Sequence, residues 1–99
     1  MNTWRLSATA AGDLLRIGRY SRRKWGKPHS DRYLAGLHGR FAMLAERPGA
    51  GIARDHISPG LRSFPFRVHV IYYRRIATGI RVVRVLDGRR RPERLLAGH

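Results

Sequence analysis

The chain has 99 residues, with 21 basic side chains against 6 acidic ones, a formal charge of +15 and no cysteine. That length supports one modest core and a single domain over residues 1–99. The lack of cysteine rules out a disulfide framework or a thiolate zinc site, and the charge draws polyanions, either nucleic acid or an acidic protein. His29, His38, His56, His69 and His99 are scattered without ligand spacing, so no metal and no cofactor are expected. No apolar run is long enough to span a membrane. The segment Met1-Asn2-Thr3-Trp4-Arg5 lacks the charged lead and apolar stretch of a signal peptide, which makes the cytosol the expected address.

Thr3 to Leu6 alternates and reads as a first strand. Ser7 is suited to cap a helix, because its hydroxyl can accept an orphan backbone N–H. Ala10, Leu14, Ile17, Ser21 and Trp25 then recur at helical spacing, with Arg16, Arg19 and Arg23 opposite. Gly26-Lys27-Pro28 stops this helix and starts another. Its apolar stripe is Tyr33, Leu37, Phe41 and Leu44, widened by Leu34 and Ala45, and Glu46-Arg47-Pro48-Gly49 ends it. So short a junction predicts an αα-hairpin. Ala50 to Pro59 reads as a loop and Leu61 to Phe64 as a short strand. Phe66 to Ile76 reads as one continuous strand, with Val68, Val70 and Tyr72 on one face and His69, Ile71 and Tyr73 on the other. Thr78-Gly79 is a turn, and Ile80 to Leu86 is apolar on both faces, which predicts a central strand with the helical hairpin on one side. The order of elements gives an α+β fold: an N-terminal strand and αα-hairpin packed on a curved antiparallel β-sheet.

Arginine dominates the basic residues, since only Lys24 and Lys27 are lysines. A GC-rich genome explains Arg in place of Lys but not the scarcity of Asp and Glu. Arg84 sits inside an apolar strand. It needs an ion pair, with Asp55 or Asp87 as suppliers, or is held for a phosphate or carboxylate. Arg89-Arg90-Arg91 forms a positive tip after the last strand, beside Arg62 if the sheet curls. No aromatic residue is interleaved with the tip, so base stacking gains no support. His69 reads as a packed strand histidine. Ser63 lacks flanking glycines and a His–Asp pairing, so no catalytic residue is assigned. Trp25, at a helix end, is the best candidate for an exposed groove between hairpin and sheet.

Weak signals also accumulate in a fixed order. They are Ser7-Ala8, Ala11, Asp13-Leu14, Ile17, Tyr20, Trp25-Gly26, Tyr33 and Leu37 in the first half. Leu44-Ala45, Pro48-Gly49, Gly51, Asp55, Gly60-Leu61-Arg62-Ser63, His69-Val70-Ile71-Tyr72-Tyr73 and Arg84-Val85-Leu86 follow. In this order and length the chain resembles ParE-type toxins of the RelE/ParE superfamily, the toxic half of type II toxin–antitoxin pairs. The resemblance implies the α+β fold above and a hetero-oligomer with a cognate ParD-like or related antitoxin, whose acidic or amphipathic tail wraps the toxin. It implies DNA gyrase as target for the ParE branch, and ribosome-dependent cleavage of messenger RNA for the RelE branch. Arg62, Arg84, Arg89 and Arg90 are then the expected target-binding residues, and Leu15, Trp25, Tyr33 and Tyr72 the expected antitoxin-binding residues. The chain has no tyrosine after Tyr73 and no histidine between His69 and His99. Arginine stays protonated and is a poor general base, so a toxin acting by binding is the expectation. A RelE-type endoribonuclease and a non-toxic basic nucleic-acid-binding domain are the alternatives. Relatives commonly carry His where this chain has Asp87, after Arg84-Val85-Leu86.

Overall fold

The computed structural model describes residues 2–96. Strand β1 (Thr3–Leu6) leads into helix α1 (Ala8–Trp25), capped as expected by the Ser7 hydroxyl, which accepts from the Ala10 N–H at 3.0 Å. Helix α2 (Lys27–Glu46) follows at once, with Pro28 in its first turn. A 3-10 turn (Pro48–Ala50) and a two-residue strand β2 (Ile52–Ala53) occupy part of the expected loop. Then come β3 (Leu61–Phe66), β4 (His69–Ile76), β5 (Gly79–Asp87) and a short helix α3 (Pro92–Leu96). The sheet order is β1-β5-β4-β3-β2. All pairs are antiparallel except β1 with β5, which run parallel, so the sheet is mixed. Strand β5 is interior, as its two apolar faces require.

The continuous strand expected over 66–76 is in fact broken at Arg67-Val68, where the chain reverses between β3 and β4. Phe66 and His69 are cross-strand partners. Arg67 takes φ of +52°, a left-handed conformation that hairpin turns normally assign to Gly or Asn. The turn is invisible in sequence because an arginine occupies the position where a glycine would have marked it. Gly79 shows the legible case. Its φ is +141°, and a Cβ there would lie 1.9 Å from the Thr3 carbonyl oxygen, so only glycine lets β1 close on the β4–β5 turn.

The helices bury one stripe on one face of the sheet. Ala10 and Leu14 of α1 and Leu37, Phe41, Leu44 and Ala45 of α2 meet Phe66, Ile71, Tyr73, Ile80, Val82 and Val85. Each fully buried large side chain contributes roughly 1.5–3 kcal/mol. The other face is covered by a smaller cluster of Leu61, Tyr72, Val83 and Leu86 under Leu96 of α3. That helix lies in the stretch read from sequence only as a basic tail. An irregularity at Tyr72/Tyr73 inserts an extra residue into β5 near Val83 and Arg84, which turns Arg84 out of the regular alternation.

Candidate functional site: a basic, aromatic cleft beside the open edge of β5

Strand β1 pairs with β5 only from Gly79 to Val82, because the chain turns into α1 at Ser7. The rest of that β5 edge has no neighbouring strand, and α1 lies alongside it. Side chains of α1 replace the missing ladder. The Ser7 hydroxyl donates to the Val83 carbonyl at 2.9 Å, and the Asp13 carboxylate accepts the Val85 N–H at 3.0 Å. Asp13 also receives two bonds from Arg84, at 2.8 Å from Nε and 3.0 Å from Nη2, and a further contact from Arg16. Both partners are largely removed from water, Asp13 at 4% and Arg84 at 12% side-chain exposure. Hydrogen bonding to Asp13 holds the Arg84 guanidinium above its ordinary value. The acid is therefore Asp13, on the first helix, and neither Asp55 nor Asp87. Asp55 instead accepts the Gly60 N–H at 2.8 Å in its own loop.

Between this edge and α1 opens a cleft of about 980 Å³. Its walls carry Arg16, Tyr20, Lys24 and Trp25 from α1, Tyr33 from α2, and Arg67, His69, Arg84 and Asp87 to Arg90 from the sheet. Tyr20, Trp25 and Val68, three large side chains that stand mostly in solvent, all belong to it. The Lys24 ammonium donates to the Tyr20 hydroxyl at 3.1 Å and lies 5.3 Å from the Trp25 ring centre, a cation–π contact that keeps the ring in place. Asp87 does not line up with Arg84. It folds back on its own turn, accepting the Arg89 N–H at 2.9 Å and the Arg89 Nε at 3.2 Å. These bonds hold the Asp87 carboxyl below its usual range.

His69 is half-buried and bonded through Nδ1 to the Tyr33 hydroxyl at 2.6 Å. Burial lowers its pKa, with Asp87 and Asp13 opposing. Burial likewise raises that of Tyr33. Sequence reading placed His69 as a packed strand residue and gave it no partner. The partner is 36 residues away in the chain, so no local pattern could reveal it.

Of the residues expected to bind the target, Arg84, Arg89 and Arg90 share the cleft. Arg62 does not join them. It pairs with Tyr73 toward the opposite end of β3 from the Arg67 turn, and donates to the carbonyls of Gly51 at 2.7 Å and Gly49 at 3.2 Å. It ties down the 3-10 turn and lies away from the tip. Of the residues expected to bind the antitoxin, Trp25 (59% exposed) and Tyr33 line the cleft. Leu15 is 61% exposed but on a part of α1 outside it. Tyr72 is 5% exposed and packs in the cluster on the other face of the sheet, under α3. Alternation along β4 puts Tyr72 on the face opposite to Ile71 and Tyr73, and α3 covers that face. Arg16, Tyr20, Lys24, Arg67, Val68 and His69 also line the cleft and were not among the residues expected to bind.

The fold and cleft together define a class, a small α+β domain whose surface offers aromatic rings and cations to a macromolecular partner. The family profile described as "ParE toxin of type II toxin-antitoxin system, parDE" matches residues 4–92, and the chain belongs to this family. It is 34% identical over 86 residues to Toxin ParE1 of Caulobacter vibrioides, covering 87% of this chain and 88% of that one. It is 35% identical over 72 residues to Toxin ParE of Escherichia coli, covering 73% and 70%. Its fold superposes on a chain of the chromosomal ParDE TA system from P. aeruginosa with a TM-score of 0.74 at 19% identity, covering 88% of this chain and 96% of that one.

Proposed function

We propose that this toxin acts by binding, that DNA gyrase is its target, and that a cytosolic cognate antitoxin neutralises it by laying an acidic, amphipathic segment in the cleft beside β5. The observation that carries the reading is the makeup of that cleft. Exposed Tyr20, Trp25 and Val68 offer apolar contact, and the two carboxylates in its walls, Asp13 and Asp87, are already engaged by arginines. What remains for a partner is apolar surface rimmed by positive charge, which an acidic amphipathic segment complements. Arg89 and Arg90 border the same cleft as Trp25, so target and antitoxin surfaces overlap, and occupancy by one excludes the other.

The test is a supercoiling and DNA-cleavage assay with purified gyrase, toxin and antitoxin. Loss of supercoiling with accumulation of cleaved DNA, reversed by antitoxin, is the expected result. Unaffected gyrase at saturating toxin would overturn the target assignment.

One observation favours a second reading, a ribosome-dependent endoribonuclease. His69 and Tyr33 lie in the cleft with Arg84, so a proton-transfer group stands beside cations able to stabilise a phosphoryl transition state. In the tautomer whose Nδ1–H donates to the phenol oxygen, Nε2 carries the lone pair a base needs. Intact messenger RNA after expression of the toxin would remove this reading.

A further inference from the structure

A second, smaller concavity of about 410 Å³ adjoins the cleft across Tyr33 and Arg67. Its walls come from α2 between His29 and Arg40 and from the β3–β4 turn, and its cations are Arg32, Arg40 and Arg67. Arg40 and Arg67 both lie against the Phe66 ring, 5.5 and 5.7 Å from its centre. One aromatic side chain thereby contacts both guanidinium groups.

Among the described residues no carboxylate pairs with them. The chain has six carboxylate side chains. Asp13 serves Arg84 and Arg16, Asp31 serves Lys27 and Asp87 serves Arg89. Glu46 accepts the Asn2 N–H and Asp55 the Gly60 N–H. Glu93 lies near Tyr72, on the face of the sheet away from α2. Among the described residues no ion pair reaches Arg32, Arg40 or Arg67. Arg67 adds an independent observation, for it stands at φ +52° in a turn where glycine would be relaxed. Its side chain rests on the Phe66 ring, and among the described residues no acceptor takes its N–H groups, so the strain points to a use outside the molecule.

We propose that this concavity binds the phosphodiester backbone of duplex DNA through Arg32, Arg40 and Arg67. The neighbouring cleft carries the large exposed rings Tyr20 and Trp25 that a protein segment packs on, and this concavity carries neither. Phe66 is 8% exposed and already covered by guanidinium groups. No exposed Phe, Tyr or Trp side chain lines it for an unstacked base, which favours a paired backbone over a single strand. Guanidinium forks match phosphate oxygens, and a phosphate contact of this kind carries no sequence preference. The inference stands apart from the gyrase reading, because it concerns the toxin and DNA alone.

The experiment is fluorescence anisotropy of a labelled duplex titrated with the purified chain over a series of salt concentrations, without gyrase. Wild type, Arg40→Gln, Arg67→Gly and the control Arg22→Gln, on α1 outside both concavities, are compared. The expected result is a steep salt dependence, with a slope in log K against log salt that falls by about one for each of the first two variants and not for the control. Arg67→Gly also relieves the turn, so its thermal midpoint should equal or exceed that of wild type, which separates lost binding from lost folding. Equal losses in all three variants would reduce the effect to overall charge and overturn the site. Unchanged DNA binding by Arg40→Gln and Arg67→Gly would also overturn it. Poly-glutamate is the second probe, and loss of its affinity alone in these variants would make the surface an acidic-protein site instead.

Discussion

Arg84 and Arg90 belong to one strand and its tip, and the fold treats them in opposite ways. Arg84 is folded against Asp13, where it closes the edge of β5 left open when β1 ends. Arg90 stands exposed at the rim of the cleft. Arg62 resembles Arg84 in this respect, since it ties down the 3-10 turn through two carbonyls. Arg67 resembles Arg90. The difference teaches that positive charge in this chain does two separate jobs. Arginines beside unmet backbone groups or Asp13 hold the fold, Arg89 is tied to Asp87, and Arg67 and Arg90 at that end of the sheet are left for a partner.

The comparison breaks most readily at Asp13. Replacing it with Ala strands a nearly buried guanidinium and leaves the Val85 N–H unpaired, a loss of about 3–5 kcal/mol. That is a large part of the stability of a small domain, and urea denaturation of D13A should show it as a lower midpoint. A wild-type midpoint would mean that the pair contributes nothing net to the edge.

Tyr73 gives the next effect. Its hydroxyl donates to the Pro48 carbonyl at 2.6 Å and accepts the Gly51 N–H at 2.9 Å, inside the core. Tyr73→Phe removes both bonds and keeps the ring, so a cost of about 1–3 kcal/mol is expected by denaturation. Faster hydrogen exchange at Gly51 should accompany it.

A smaller effect comes from pH. Burial lowers the pKa of His69 relative to its ordinary 6.5, so the unfolded chain takes up this proton more readily than the folded one. The contribution is fully present above about pH 6.5 and is lost as pH falls from there toward the lower folded value. Asp87 titrates separately, further down, because its carboxyl is held below 3.8. Thermal midpoints from pH 7.5 to 5.5 should therefore decline in wild type and decline less in His69→Gln. Parallel curves would place the pH response elsewhere.

Last in stability and first in function stands the tip. Arg89→Glu with Arg90→Glu should change stability by no more than about 0.5 kcal/mol, as exposed substitutions do. The same pair should abolish growth arrest and weaken antitoxin binding, whereas Trp25→Ala should weaken antitoxin binding alone. Titration calorimetry with antitoxin, beside a growth assay, separates the two. A fully toxic double variant would detach the tip from the target surface.

Much of the fold is legible because its signals are local. The Ser7 cap, the helical stripes, the Gly26-Lys27-Pro28 junction and the Thr78-Gly79 turn each declare themselves within a few residues. The β3–β4 turn is not legible, because its position is occupied by an arginine under strain. The parallel pairing of β1 with β5 joins the two ends of the chain, and α3 covers an outer face that strand alternation alone does not assign.

The candidate site divides along the same line. Sequence by itself determined that the molecule is strongly basic, that carboxylates are too few to neutralise it, and that Trp25 stands at a helix end where burial is difficult. Only the tertiary structure decided which arginines the few carboxylates serve. Asp13 reaches Arg84 across 71 residues of chain, and Tyr33 reaches His69 across 36. Short-range signals follow from backbone sterics and periodicity, which each residue carries with it. Pairing of charge depends on which surfaces meet once the core has closed, and that is a property of the whole packed chain.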